Sequence, residues 1–356
     1  MPPITADDFL PVELIFSPNW WHQTVGIAFD RAFYLDAQRR IDDDMTMRRL
    51  LWERYGELGL GEADPRPRPI IGSLHVAGGF VIPALLGAEV IFAPDAAPQP
   101  APMHLTAEEI GVVEKPDFRE VWPMRELVAD MEMMEATFGF LVGDVNTDGL
   151  LNAAYHMYGQ ALFVDFSEAP ERVRRLLDLI GELIVDVASY VRHRTGTYSV
   201  SVNRMVAHLD PNPFLHGNCS VQMISPETYR HVQLPVEKRM AEQLQPYGIH
   251  HCGSNMHLVA SEYARLPVSF YDVGWGSDVK RCRELLPDAF LSLRLSPVRM
   301  LRCTPQAIAR DTDQLLRASG PLEQAGVCCI NMDYGTPDEN IFAMFDVVQR
   351  YRRYGA

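Results

Sequence analysis

VCCINMDYGTPDENIFAMFDVV, residues 327–348, reads as a strand that runs through a turn into a helix. The apolar run ends at Met332, and Thr336-Pro337 then opens a stretch with helical spacing. Thr is a favoured cap and Pro a favoured first helical residue. Glu339, three residues after Thr336, completes the pattern of a capping box. The same signals recur upstream: Ser225-Pro226 and Thr304-Pro305 open two more helices, and Gly320 stops the second. From Glu171, apolar residues at Val173, Leu176, Leu177, Ile180, Leu183, Ile184, Val187 and Val191 mark one face of a long helix. Strand candidates lie at 138–143, 199–202, 248–251, 268–273, 289–295 and 327–332. Such alternation implies a parallel sheet with crossover helices. A closed eight-stranded barrel and an open doubly wound sheet both fit. No G-x-G-x-x-G follows a strand, which weakens a dinucleotide-binding version.

A chain of 356 residues with 47% hydrophobic side chains can bury a large core, and α/β barrels of this length form one unit. We expect a single domain over 1–356. Its first 68 residues, rich in aromatics and helical around 42–55, form an extension packed on the main body. Residues 94–102, PDAAPQPAP, read as an extended crossing over the surface. The net charge of −15 argues against nucleic-acid partners, which need clustered Lys and Arg. No apolar run reaches the roughly 20 residues of a membrane span, and the start MPPITADDF has no secretory pattern. A cytoplasmic protein is therefore expected, with its six cysteines as free thiols rather than a disulfide scaffold.

The strongest chemical signal is Ile249-His250-His251-Cys252-Gly253 at a strand end, where parallel α/β folds build their sites. His250 and Cys252, two apart, point the same way on an extended segment, and His251 points the other way. Imidazole and thiolate together suit zinc. Two further strand ends carry thiols: Cys328-Cys329, of which alternation lets only one face the mouth, and Asn218-Cys219. Asp272 closes the next strand as a fourth ligand, an acceptor behind a ligand or a catalytic proton carrier. Trp20, Trp21 and His22 could cover the mouth and shape a substrate pocket, or form an aromatic staple in the core. Asp144 and Asn146, in GDVNTDG, could line the pocket or simply make a turn. His156 and His208 are read as structural.

These residues resemble the uroporphyrinogen decarboxylase superfamily, in its zinc-dependent corrinoid methyltransferase branch. That branch includes the methylcobalamin:coenzyme M methyltransferases and is distantly related to cobalamin-independent methionine synthase. The likeness spans residues 138–351 and rests on FGFLVGDVNTDGLLNAAYHMYG, DFSEAPERVRRLLDLI, MISPETYRHVQLPVEKRM, IHHCGSN and GTPDENIFAMFDVV. It implies a TIM-type (β/α)8 barrel with an N-terminal elaboration. It implies zinc on His250, Cys252 and one of Cys328 or Cys329, with Cys329 the better match and Cys219 a rival. It also implies methyl transfer between a small thiol or methyl-ether substrate and a corrinoid (cobalamin) on a cognate partner protein. Trp21, His22, Asn146 and Asn218 are the expected substrate-facing residues. The late motif departs from the family's G-C-G-I, reading G-V-C-C-I, and the R-Q-A-G-R signature of the decarboxylases is absent. A metal-free decarboxylase and a non-catalytic binding barrel are the alternatives.

Overall fold

In the computed structural model, which describes residues 9–72, 79–197 and 203–354, the decisive stretch is a strand followed by a helix. The described residues form ten strands: β1 Val12–Phe16, β2 Ile70–Ile71, β3 Val90–Ala93, β4 Ala96–Pro100, β5 Val142–Gly143, β6 Phe214–Gly217, β7 Tyr247–His251, β8 Val268–Val273, β9 Phe290–Leu295 and β10 Ala325–Met332. Six form one sheet in the order β1-β10-β9-β8-β7-β6, every neighbour parallel. It curls through about half a barrel. β2 and β5 make a separate parallel pair.

Side chains of the curled sheet divide into two sets. Ile15, Leu215, Phe270, Phe290, Cys328 and Ile330 pack together on the concave side with Met205 and Val206. Phe214, Tyr247, Ile249, Tyr271, Leu291, Leu293 and Val327 pack on the other side, under the helices. Strands covered on both faces carry almost unbroken apolar runs, as β10 does over Ala325–Ile330. The helix read from Glu171 spans Pro170–Thr195, and its eight apolar positions are all buried. It stops at Gly196, whose left-handed backbone (φ 73°) returns its N–H to Arg192 O.

Several expectations change. The stretch 138–143 holds only the two residues of β5, because the helix Met124–Phe138 runs into it and ends on left-handed Gly139. Strand candidate 199–202 lies outside the described residues. Residues 94–102 are not a plain crossing: β4 pairs antiparallel with β3, an isolated hairpin whose edges tolerate proline. The Thr336 hydroxyl donates back to Asp333 O at 2.8 Å instead of building the capping box. The N-terminal stretch is more than a covering, since its residues 12–16 supply β1, in register against β10. Ser17 Oγ and Asn19 Nδ2 then donate to Asp333 Oδ1 at 3.0 and 2.8 Å, tying the first strand end to the last.

Gly274, just past β8, sets how closely two strand ends approach. A Cβ there would lie 2.2 Å from Gly253 O and 2.5 Å from His251 O. Overpacking costs about 1–3 kcal/mol, and here the opposing atoms are backbone. Gly274→Ala should lower the urea midpoint by a matching amount, and an unchanged midpoint would show that the loops after β7 and β8 can part freely.

Candidate metal centre

β7 delivers the site through its pleat. Gly248 and His250 face the concave side, and Cys252 continues their phase just beyond the strand. Register sets their neighbours: His250 lies opposite Asp272 of β8 and Gly217 of β6. His250 Nδ1 is hydrogen-bonded to Asp272 Oδ2, and its Nε2 lies 2.7 Å from Cys252 Sγ. Cys219, two residues beyond β6, brings its Sγ to 2.7 Å from Cys252 Sγ. The donor atoms of Cys219, His250 and Cys252 all lie within 4.8 Å of one another. Among the described residues this is the only such group of three.

Electrostatics make the trio an ion pair with a donor attached. The Cys219 hydrogen bond and the nearby His250 cation hold the Cys252 thiol well below its ordinary range, against the effect of burial. Cys219, giving that hydrogen bond and buried, is pushed well above it. Burial disfavours a charged ring on His250, but the Cys252 thiolate and Asp272 outweigh it and hold its pKa at about 9. The donor set fits a metal ion: two sulfurs and one imidazole are the ligands zinc prefers, at bond lengths of about 2.0–2.3 Å that such a cluster can meet. Asp272, spent on Nδ1, fixes the ring so that Nε2 is the free donor.

His251 faces outward, as read, between Tyr263 OH at 2.9 Å and Asn255 Oδ1 at 3.1 Å. Cys329 is a correction. It is turned to the helix side of β10, its sulfur on Leu295 O at 3.6 Å, and burial pushes its pKa up to about 12. Cys328 is the inward thiol. It is held by Ser292 Oγ at 3.1 Å and Asn203 Nδ2 at 3.5 Å, with Asp272 Oδ1 at 3.7 Å. Trp21 is also a correction: 1% exposed, it packs edge-on to Trp20 and Phe16 and belongs to the core. His22 Nδ1 sits on Ile27 O at 3.0 Å, closing its own helix end. Asn218 is buried and turned away from the mouth, its amide bound to Glu237. Asn146 makes a turn, accepting Asp148 N at 2.8 Å.

Two residues not anticipated from the sequence stand at this centre. Asp148, two residues after Asn146, has a left-handed backbone (φ 61°) and accepts from Asn152 Nδ2 at 2.6 Å. Burial raises its pKa to about 6 within the field of Cys252 and His250. Arg294 reaches inward from β9, its side chain 11% exposed and its Nε 3.9 Å from Asp272 Oδ1. Its Nε and Nη1 are buried without a close hydrogen-bond partner, in the field of Asp272 and Cys252. GDVNTDG drew notice to the right loop but the wrong residue, and an Arg in LSLRLS resembles an ordinary outward position.

The sequence model of the family described as Uroporphyrinogen decarboxylase (URO-D) matches residues 77–351. No curated protein matches the chain in sequence. Among solved structures it is similar to a methyltransferase from Methanosarcina mazei, with 14% identity and a TM-score of 0.65 over 98% of this chain and 97% of that one. It is also similar to a B12-independent methionine synthase from Shewanella sp. W3-18-1 in complex with selenomethionine. There the identity is 10% and the TM-score 0.53, over 97% of each chain. At these identities the likeness is one of fold.

The thiolate assigned to Cys252 is open to a direct check in the metal-free protein. An ordinary thiol loses roughly 100-fold in alkylation rate between pH 8 and pH 6. A thiol with a lowered pKa keeps a larger ionised fraction over that range, so iodoacetamide at pH 6 should label Cys252 ahead of Cys282, Cys328 and Cys329. Peptide mapping reads the order, and labelling that falls as for an ordinary thiol would refute the ion pair.

Proposed function

The chain belongs to the uroporphyrinogen decarboxylase family, and on that premise we propose that it is a zinc-dependent methyltransferase. It exchanges a methyl group between a small thiol or methyl-ether substrate and a corrinoid carried by a cognate partner protein. The observation that carries this reading is the convergence of Cys219, His250 and Cys252 at neighbouring strand ends. The two solved structures it is similar to, a methyltransferase and a methionine synthase by title, lend it support. We read the six-stranded sheet and the β2–β5 pair as the strands of one (β/α)8 barrel, with this centre at its C-terminal mouth. The free cysteines fit action in the reducing cytoplasm.

In this reading Cys219, Cys252 and His250 Nε2 hold the ion, and Asp272 keeps the ring turned for it. A zinc ion bound there supplies a Lewis acid that lowers the pKa of a substrate thiol or polarises a methyl donor's heteroatom. Cys328 stands beside Asp272 on the inner wall, within the same concave space. Arg294, beside Asp272 on the inner wall, adds a positive charge that would attract an acidic group on the substrate. Because that guanidinium suits a carboxylic acid equally well, a metal-free decarboxylation is the second reading.

Metal analysis of the purified protein separates the two. Near-stoichiometric zinc is expected, and His250→Ala and Cys252→Ser should each lose most of it while keeping the fold. Cys329→Ser should retain it. Methyl exchange with free cobalamin, followed by the cobalt-centred absorbance, should vanish with the zinc. Decarboxylation of a porphyrinogen by the wild type, undiminished in Cys252→Ser, would count decisively for the second reading. Arg294→Met tests the acid-binding role: KM for an acidic thiol should rise roughly 10-fold or more, as loss of a charge-assisted contact implies, while KM for a neutral thiol stays put.

A further inference from the structure

Cys219 lies past the end of β6, in the short turn Cys219–Met223. Its place beside Cys252 therefore depends on how its neighbours are held. Ser220 N donates to Asn152 Oδ1 at 2.9 Å. On the other side Asn218 is fixed three times over. Its N–H donates to His250 O at 2.8 Å, its Nδ2 to both oxygens of Glu237 at 2.8 and 3.1 Å, and its Oδ1 accepts from Gln233 Nε2 at 2.9 Å.

Glu237 is fully buried. It also accepts from Tyr229 OH at 2.7 Å and Gln233 Nε2 at 3.2 Å, so these contacts are all with neutral donors. A buried carboxylate is costly without a cation, and its donors must converge to hold it. The helix that carries it is built for that convergence. Pro235 has no N–H to give the His231 carbonyl, which Arg174 Nη2 takes instead at 3.0 Å. Leu234 N reaches back five residues to Tyr229 O, making the wide turn Tyr229–Gln233. That wider turn re-phases the helix, so Tyr229, Gln233 and Glu237, four apart, meet at one point. Wide turns of this kind recur at functional sites.

We infer that Glu237 is a positioning residue for the metal centre: through Asn218 it fixes where Cys219 presents its sulfur to His250 and Cys252. The inference rests on the metal-site reading above and adds to it a device 18 residues along the chain from the thiol it places. Only an acceptor on every side will serve. Glu237→Gln, nearly identical in shape, sets an amide donor against Asn218, Gln233 and Tyr229, all of which donate.

The experiment is a cobalt(II) titration of the metal-free, full-length protein, read by the thiolate-to-cobalt charge-transfer absorbance. Cys219→Ser should remove about half of that absorbance, one thiolate of two remaining. Glu237→Gln should lose a similar share and weaken cobalt binding by about 10–100-fold. The double variant should be no worse than Cys219→Ser alone, since both act on one ligand. Adding Asn218→Asp to Glu237→Gln reverses the donor and acceptor between them and should restore binding. A merely structural role lowers the melting temperature and leaves the absorbance alone, and wild-type absorbance and affinity in Glu237→Gln would overturn the inference. Should that variant fail to fold, Asn218→Ala cuts the same link from the other end, and wild-type cobalt binding there overturns it equally. Wild-type absorbance in Cys219→Ser is a different failure. It removes Cys219 from the metal centre, and the inference falls with that reading.

Discussion

Everything at the mouth depends on the parallel register that sets His250 opposite Asp272 on one side and Gly217 on the other. In a parallel sheet neighbouring pleats are in phase, so the inward face of β7 meets the inward faces of β6 and β8 at the same height. His250 thereby gains a carboxylate partner from β8. The absence of a side chain at Gly217 leaves room where the chain turns towards Cys219. A slip of one residue in β7 would exchange His250 for His251 and send the imidazole under the helices. His251 is already satisfied there by Tyr263 and Asn255, and burial pulls its pKa down to about 4. Two adjacent histidines therefore have opposite chemistry because they sit on opposite faces of one strand.

What could be read from the sequence follows from how much phase information each segment carries. β7, β8 and β9 were legible nearly to the residue, because their apolar runs end at turns and capped helices. In β7 the H-x-C pair also fixed the inward phase. β10 has no such marker. Val327-Cys328-Cys329-Ile330 is buried on both faces, so a period of two leaves its phase undetermined. Register with β9, where Cys328 pairs with Arg294, is what decides between Cys328 and Cys329. β1 escaped notice for another reason. VELIF carries a charged Glu13 that reads as exposed, whereas in the fold it is buried and bound by His208 and Arg204.

The site residues that were misplaced share a cause. Asn218 was read by its nearness to Cys219, but its direction is set by Glu237 on a helix whose wide turn no propensity announces. Trp21 and His22 sit after a strand end, as substrate-facing residues often do, yet stacking of Phe16 on Trp20 at 4.1 Å draws the whole segment into the core. Arg294 and Asp148 were missed because a single charge in a strand or turn has a solvated reading by default. The inward face of β9 turns Arg294 towards the thiols, and the loop after β5 brings Asp148 to them.

Four charged groups meet at the centre proposed to hold a metal. Cys252 as thiolate and Asp272 as carboxylate are faced by His250 as imidazolium and by Arg294, whose cationic form these anions favour over the effect of burial. Buried charges need partners, and in the metal-free protein the proton on His250 is one of them. A zinc ligand must be a neutral imidazole, so a metal ion bound there would displace that proton and put a divalent charge in its place. Cys219 would then give up the proton it holds for Cys252, and the second thiolate would offset the added charge. Asp272 and Arg294 keep their partners throughout, so the exchange is confined to three donor atoms. The three donor atoms are thus held together by two hydrogen bonds, whose protons are the two that the proposed ion would displace.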